Sequence, residues 1–174
     1  MNRLAILAAS LLLALPLFGQ KRHDALNPLE IDQLRDTAQE PLERLKLYVE
    51  FARARLVALD KARSDPKVKD RGEETHDRLQ EFLDIFDELN DNVDTFADRK
   101  EDLRKALKVV IDGDNEFQSK LLALRDAAGT TPQETRTYDF LLRNAIDTLD
   151  ASLEDHKQLL EAQEEAAKQK KKKK

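Results

Sequence analysis

Between its prolines and polar punctuation, the chain carries four long stretches in which apolar residues recur every three or four positions. That spacing makes one face of an α-helix, whereas a strand alternates its faces every second residue. After Pro41 the first stripe runs Leu42, Leu45, Val49, Ala52, Leu56 and Leu59, flanked by Tyr48 and Phe51. The second runs Leu79, Phe82, Phe86, Leu89, Val93 and Phe96. The third is Leu103, Leu107, Val110, Phe117, Leu121, Leu124 and Ala128. The last is Leu142, Ile146, Leu149, Leu153, His156 and Leu160, with Leu141 and Ala145 beside it. No window alternates apolar and polar residues with β-branched enrichment, so strands are not expected. Four glycines, five prolines and 37% charged residues suit long amphipathic helices.

Local chemistry sets the boundaries. "NPLE" (Asn27–Glu30) and "TPQE" (Thr131–Glu134) each place an N-cap residue before proline, with glutamate at the third helical position. Both predict a capping box with proline at the first helical position, where its missing N–H costs nothing. "SDP" (Ser64–Pro66) offers a further helix start, and Pro41 a stop or kink. "DRKE" (Asp98–Glu101) has capping-box spacing without proline and is the weakest boundary. Short connections between four long stripes predict an all-α fold, an antiparallel four-helix bundle led in by a short helix from Pro28 to about Gln39. If the chain did not turn near Asp98, residues 67–128 would instead form one helix more than about 90 Å long, an extended coiled-coil hairpin. The resulting division is a signal peptide over 1–19, a flexible N-terminus over 20–27, a helical bundle over 28–167 and a lysine-rich tail over 168–174.

The compartment follows from "MNRLAILAASLLLALPLFGQ": Arg3, a nearly unbroken apolar run from Leu4 to Phe18, then Gly19. That order of basic, apolar and helix-breaking residues is a secretory signal peptide. The run is shorter than the roughly 20 apolar residues a bilayer-spanning helix needs. Cleavage is expected after Gly19, although Leu17 is larger than the residue usually found there; the alternative is an uncleaved N-terminal anchor. The chain is expected to be exported, to the periplasm or the extracellular space. It has no cysteine, which removes disulfides, thiol catalysis and cysteine-ligated metals. An exported chain of this kind is held together by core burial or by assembly with partners.

Charge is strongly polarised. The formal net charge is −5, but residues 20–167 hold 23 basic against 35 acidic residues, a net −12. Lys168, Lys170, Lys171, Lys172, Lys173 and Lys174 then follow beyond Leu160, the last good core leucine. One or two lysines complement a helix C-terminus, and a run of five exceeds that need. A second charged feature is the stripe Asp84, Asp87, Asp91, Asp94 and Asp98, with Glu81 and Glu88 alongside. It lies out of phase with the Phe86–Val93 seam and reads either as a solvated outer face or as a docking face for a basic partner or divalent cations. These aspartates and the tail lysines are the candidate interaction residues.

Other motifs point to structure before chemistry. In "VVIDGDNEF" (Val109–Phe117) Asp114 falls on the apolar seam and Gly113 costs about 1 kcal/mol relative to alanine in a helix. Asp112, Asp114 and Glu116 imitate the first ligands of a calcium loop, but Phe117 stands where its turn glycine belongs and Ala123 where its bidentate glutamate belongs. A kink, a bulge, a splitting loop or a polar layer fixing helix register is expected there instead. "EETH" (Glu73–His76) has the Glu-x-x-His spacing of carboxylate-bridged di-iron bundles, but those sites need two such motifs, and Leu153 stands three positions before His156. His156 on its seam reads as a satisfied or partly exposed core-edge histidine, and a pairing with His76 is the remaining metal reading. Haem lacks a CxxCH or a mature methionine, no glycine-rich phosphate loop is present, and the serines have no nucleophile-elbow context. Arg53 and Arg55 are expected to cover apolar surface with their stems and pair with neighbours such as Glu50.

No catalytic, cofactor-binding or metal residues are therefore assigned, and no enzyme activity or cofactor is expected. The expectation is an exported helical protein acting through contacts with an unidentified protein partner, as an adaptor, envelope-stress or chaperone-like component. The alternatives are a peripheral binder of an anionic membrane or envelope polymer through the lysine tail, and a metal-binding bundle. Nucleic acid is not an expected partner of so acidic a body, and the sequence leaves the oligomeric state open.

Overall fold

A computed structural model describes residues 25–127 and 130–172. The expected signal peptide, Ala128, Lys173 and Lys174 lie outside the described residues. The described chain is all-helical: α1 (Pro28–Asp36), α2 (Pro41–Ser64), α3 (Arg71–Asp98), α4 (Arg104–Arg125) and α5 (Pro132–Lys172).

The first cap forms as its residues dictate. Asn27 Oδ1 accepts from the backbone N–H groups of Leu29 at 2.9 Å and Glu30 at 3.0 Å, and Glu30 Oε2 accepts from Asn27 N–H at 2.8 Å. Helix α1 stops at Asp36, short of Gln39. Ala25 and Leu26, placed in the flexible N-terminus by sequence, pack against the core. At α5 the Glu134 N–H donates to Thr131 Oγ1 at 3.2 Å, one half of the box the TPQE spacing predicts, while the Glu134 carboxylate accepts from Arg63 Nη1 at 3.0 Å instead of closing the other half. The Ser64–Pro66 start is not used. Helix α2 runs through Ser64, and α3 begins only after Asp70, whose carboxylate accepts from Glu73 N–H at 3.0 Å.

The DRKE boundary is a helix stop. Lys100 adopts φ 61°, and Glu101 N–H donates to Phe96 O at 3.1 Å while Lys100 N–H donates to Ala97 O at 2.8 Å. This 6→1 and 5→2 pair is a Schellman motif built on a lysine where glycine is usual. The chain therefore turns after Asp98, and the single helix over 67–128 does not form.

Hydrogen bonds give the helix directions. Arg44 Nε donates to Asn92 Oδ1 at 2.6 Å and Arg63 Nη1 to Thr75 Oγ1 at 3.1 Å, so α2 and α3 run antiparallel. Leu103 N–H donates to Gln163 Oε1 at 2.8 Å and Gln118 Nε2 to Asp150 Oδ1 at 2.5 Å, so α4 and α5 do the same. Arg53 reaches Glu116, and Lys120 reaches Asp60, which makes α2 and α4 parallel neighbours. Asn90 bonds Ser152 near one end and Gly72 meets Thr137 near the other, so α3 and α5 are also parallel. Helices α3 and α4 follow each other in sequence without packing side by side. Their turn crosses the body, and they meet through its centre, where the Phe117 ring stands edge-on to Phe82 and Phe86 at 5.4 and 6.5 Å.

All six second-seam residues are buried, as are Leu45, Val49, Ala52, Leu56 and Leu59 from the first. Gly113 is used for close approach: a Cβ there would stand 2.8 Å from Val49 Cγ1, a stiff β-branched side chain on α2.

Candidate functional site

Two features combine charge with position, one inside the body and one beyond it. Inside, α4 stays continuous through Gly113, so no loop splits that stretch, and the polar residue on its seam is part of a polar layer. Asp114 is 0% exposed and His156 4%. His156 Nδ1 lies 2.8 Å from Asp114 Oδ2 and donates to it when that carboxylate is ionised. Asp114 Oδ1 is buried without a hydrogen-bond partner. Burial pushes the Asp114 carboxyl above its usual range, and the bond and charge of His156, with the charge of Lys157, pull in the opposite direction. Sequence placed both residues on apolar seams and read His156 as a satisfied or partly exposed core-edge histidine, with a pairing to His76 as its metal alternative. Because Ser152 sits beside Asn90 along the parallel α3 and α5, His156 falls near the level of Asp94, about 27 Å from His76 along the axis.

The calcium-like triplet disperses. Asp112 is exposed, Asp114 faces His156, and Glu116 accepts from Arg53 Nε at 2.8 Å. Among the described residues no group of three or more His, Cys, Asp and Glu is arranged to hold a metal ion, and no helix is long and apolar enough to cross a membrane.

On the surface, Asp87, Asp91, Asp94 and Asp98 are exposed along α3 and Asp84 is half-buried, accepting from Gln80 at 2.8 Å. Their two glutamate companions already have contacts: half-buried Glu81 pairs with Arg78 on the same helix at 2.8 Å, and exposed Glu88 lies 3.4 Å from the Tyr48 hydroxyl of α2. Asp87 counts as exposed by surface area, yet enough protein surrounds it that desolvation, then repulsion from Asp84 and Asp91, raises its carboxyl above the usual range. A raised folded-state pKa means that stability is complete below the unfolded value and is lost as pH rises through the folded one. Asp87→Asn is therefore expected to stabilise the protein at pH 7 by roughly 0.5 kcal/mol, the scale of two like-charge helix pairs. Urea denaturation at pH 7 and pH 3 checks this, the gain vanishing at pH 3.

Beyond the body, α5 stays helical through Lys172. Gln163 clamps it: Oε1 accepts from Leu103 N–H and Nε2 donates to Glu101 O at 3.1 Å, tying α5 to the α3–α4 turn, and Glu164 beside it pairs with Lys108 of α4 at 3.2 Å. Sequence registered only a weakening seam at Gln163; its phase with His156 and Leu160 was the available signal. Lys168, Lys170, Lys171 and Lys172 are exposed. Lys168 lies 2.7 Å from Glu165, whose hydrogen bond and charge raise its pKa. Residue 160 falls beside Asp98, so Lys168 sits about 12 Å past the end of the aspartate stripe. The helical tail points away from its own acidic face and does not dock on it.

Comparison of the chain with protein-family models, curated proteins and solved structures finds no match.

Proposed function

We propose that the four long helices form one four-helix bundle with α1 as its lead-in, and that this bundle is an exported, non-enzymatic protein acting through protein–protein contacts as an adaptor or chaperone-like component. The ring order is α2, α3, α5, α4, with sequence neighbours antiparallel and the other two pairs parallel. The observation that carries the functional reading is the α5 extension. Residues 161–172 continue as helix for about 18 Å after Leu160; Gln163 and Glu164 still hold the body, and from Glu165 onward the helix carries exposed charge that the core does not use. A helix that outruns its own packing has surface to offer a second molecule.

The test captures partners from an envelope extract with the mature chain and with a variant lacking residues 165–174, which keeps the Gln163 clamp and the Glu164–Lys108 pair. The expected result is a reproducible partner that disappears with the extension. Identical captures by both chains, or none by either, overturn the reading.

The exposed lysines also favour a second reading, attachment to an anionic membrane or envelope polymer. Each lysine near such a surface contributes about 1 kcal/mol, and the net −12 body opposes it. Vesicles with and without anionic lipid separate the two: the membrane reading requires salt-sensitive binding that is lost with the extension.

A further inference from the structure

The α5 extension has an internal order of charge. Glu161, Glu164 and Glu165 come first, and Lys168, Lys170, Lys171 and Lys172 follow. Between the blocks lie Ala166 and Ala167, with Ala162 one turn earlier, so the middle of the extension is small-sided. Its inner face has no partner helix: Leu159, Ala162 and Ala166 floor an open depression bounded on the other side by Ala97, Lys100 and Glu101 of the α3–α4 turn.

An acidic block followed by a basic block is complementary to itself in one orientation. Laid parallel, two copies set glutamates beside glutamates and lysines beside lysines. Laid antiparallel about an axis near Ala166–Ala167, they set 161 opposite 172 and 165 opposite 168, so Glu161 and Glu165 each face a lysine, and Glu164 faces Gln169 between Lys168 and Lys170. Alanines at the crossing let the backbones approach closely, and the overlap of 161–172 keeps the two bodies apart at opposite ends.

We infer that the α5 extension is a homodimerisation element, pairing antiparallel with the same segment of a second copy of this chain. The inference rests on the reading of the extension as an interaction element and names its partner. Its contact is isologous and closed, so it stops at two copies. Two local salt bridges must rearrange, Lys168–Glu165 at 2.7 Å and Lys108–Glu164 at 3.2 Å. Both are exposed on at least one side, and pairs of that kind contribute little. The overlap is short, so the dimer belongs with small, weak interfaces and its affinity falls with salt.

Sedimentation of the mature chain over rising concentration is expected to show a monomer–dimer equilibrium that weakens in high salt. An all-basic extension (Glu161→Lys, Glu164→Lys, Glu165→Lys) and one with its facing lysines reversed (Lys168→Glu, Lys170→Glu, Lys172→Glu) should each self-associate at least about tenfold more weakly. An equimolar mixture of the two should recover dimers. Because the chain has no cysteine, Ala166→Cys supplies a second readout: it should form an interchain disulfide readily, while Ala151→Cys, exposed on the body, should not. A wild-type chain monomeric at every concentration, a mixture that does not recover dimers, or equal cross-linking at 166 and 151 overturns the inference. A monomeric chain that still captures a protein through residues 165–174 removes the self-pairing alone and leaves the contact reading standing.

Discussion

Replacing His156 with leucine is expected to lower stability by about 3 kcal/mol at pH 7, because it leaves the Asp114 carboxyl buried without its partner. Asp114 is fully enclosed, and its Oδ1 already lacks a hydrogen bond. Without His156 the group either stays charged in the core or takes up a proton. That cost grows as pH rises from the unfolded value through the raised folded one, levels off above it, and fades toward acid, where the carboxyl is neutral folded or unfolded. Asp114→Ala should cost about 2 kcal/mol by orphaning the His156 N–H. The two losses should not add. Asp114→Ala combined with His156→Leu nearly conserves volume and removes both buried polar groups, so it should return close to wild-type stability or exceed it. Chemical denaturation of the four proteins measures the coupling. Additive losses would show that the two residues act separately.

A pair that costs stability still specifies an arrangement. Sliding α5 by one turn along α4 would bring the imidazole toward Val110 or Phe117 and leave Asp114 among apolar side chains. The polar pair therefore penalises every register but one, as a buried polar residue does in a helical seam.

The same pair shows what was legible in the sequence. Helix existence and core faces could be read because each helix buries a single stripe, and the phases of Leu79–Phe96 and Leu142–Leu153 carry that directly. That Asp114 and His156 both sit on seams could be read as well. Their pairing could not, because it depends on the direction and register of two helices whose apolar stripes fit several neighbours equally. The diagonal α3–α4 crossing was hidden for the same reason. The stop at Lys100 was obscured by chemistry: a lysine occupies the left-handed position where glycine would have marked the end. On the surface, the Asp84–Asp98 stripe and the lysine run were visible as charge patterns. The point that the helical tail leads away from that stripe emerged only from the parallel packing of α3 and α5. Arg55 was read beside Glu50 in sequence, yet its partner is Glu30, 25 residues away.

That Arg55 contact makes the second large expected effect, a loss of about 2–4 kcal/mol on Arg55→Ala. Arg55 is largely buried, and its guanidinium donates to Glu30 Oε1 at 2.8 Å, to Glu30 Oε2 at 2.6 Å and to Ala25 O at 2.5 Å. Glu30 Oε2 also closes the α1 capping box through Asn27 N–H. Burial works to raise the Glu30 pKa, but the Arg55 bonds, the Asn27 amide and the Arg55 charge outweigh it and hold the carboxyl below its ordinary value. With a lowered folded-state pKa, this contribution is present above the unfolded value and is lost as pH falls through the folded one. Helix α1 is nine residues long and packs only on α2. A helix that short does not persist unaided in water, so removing its anchor releases the whole element. Hydrogen exchange should therefore show the α1 amides losing protection in Arg55→Ala while α3 and α5 amides exchange only as fast as the global loss requires. Arg55→Lys should not restore α1, because an ammonium cannot span both carboxylate oxygens and the Ala25 carbonyl in one plane. Full α1 protection in Arg55→Ala would mean that Leu34 and the Arg44 bond to its carbonyl hold the helix without the ion pair.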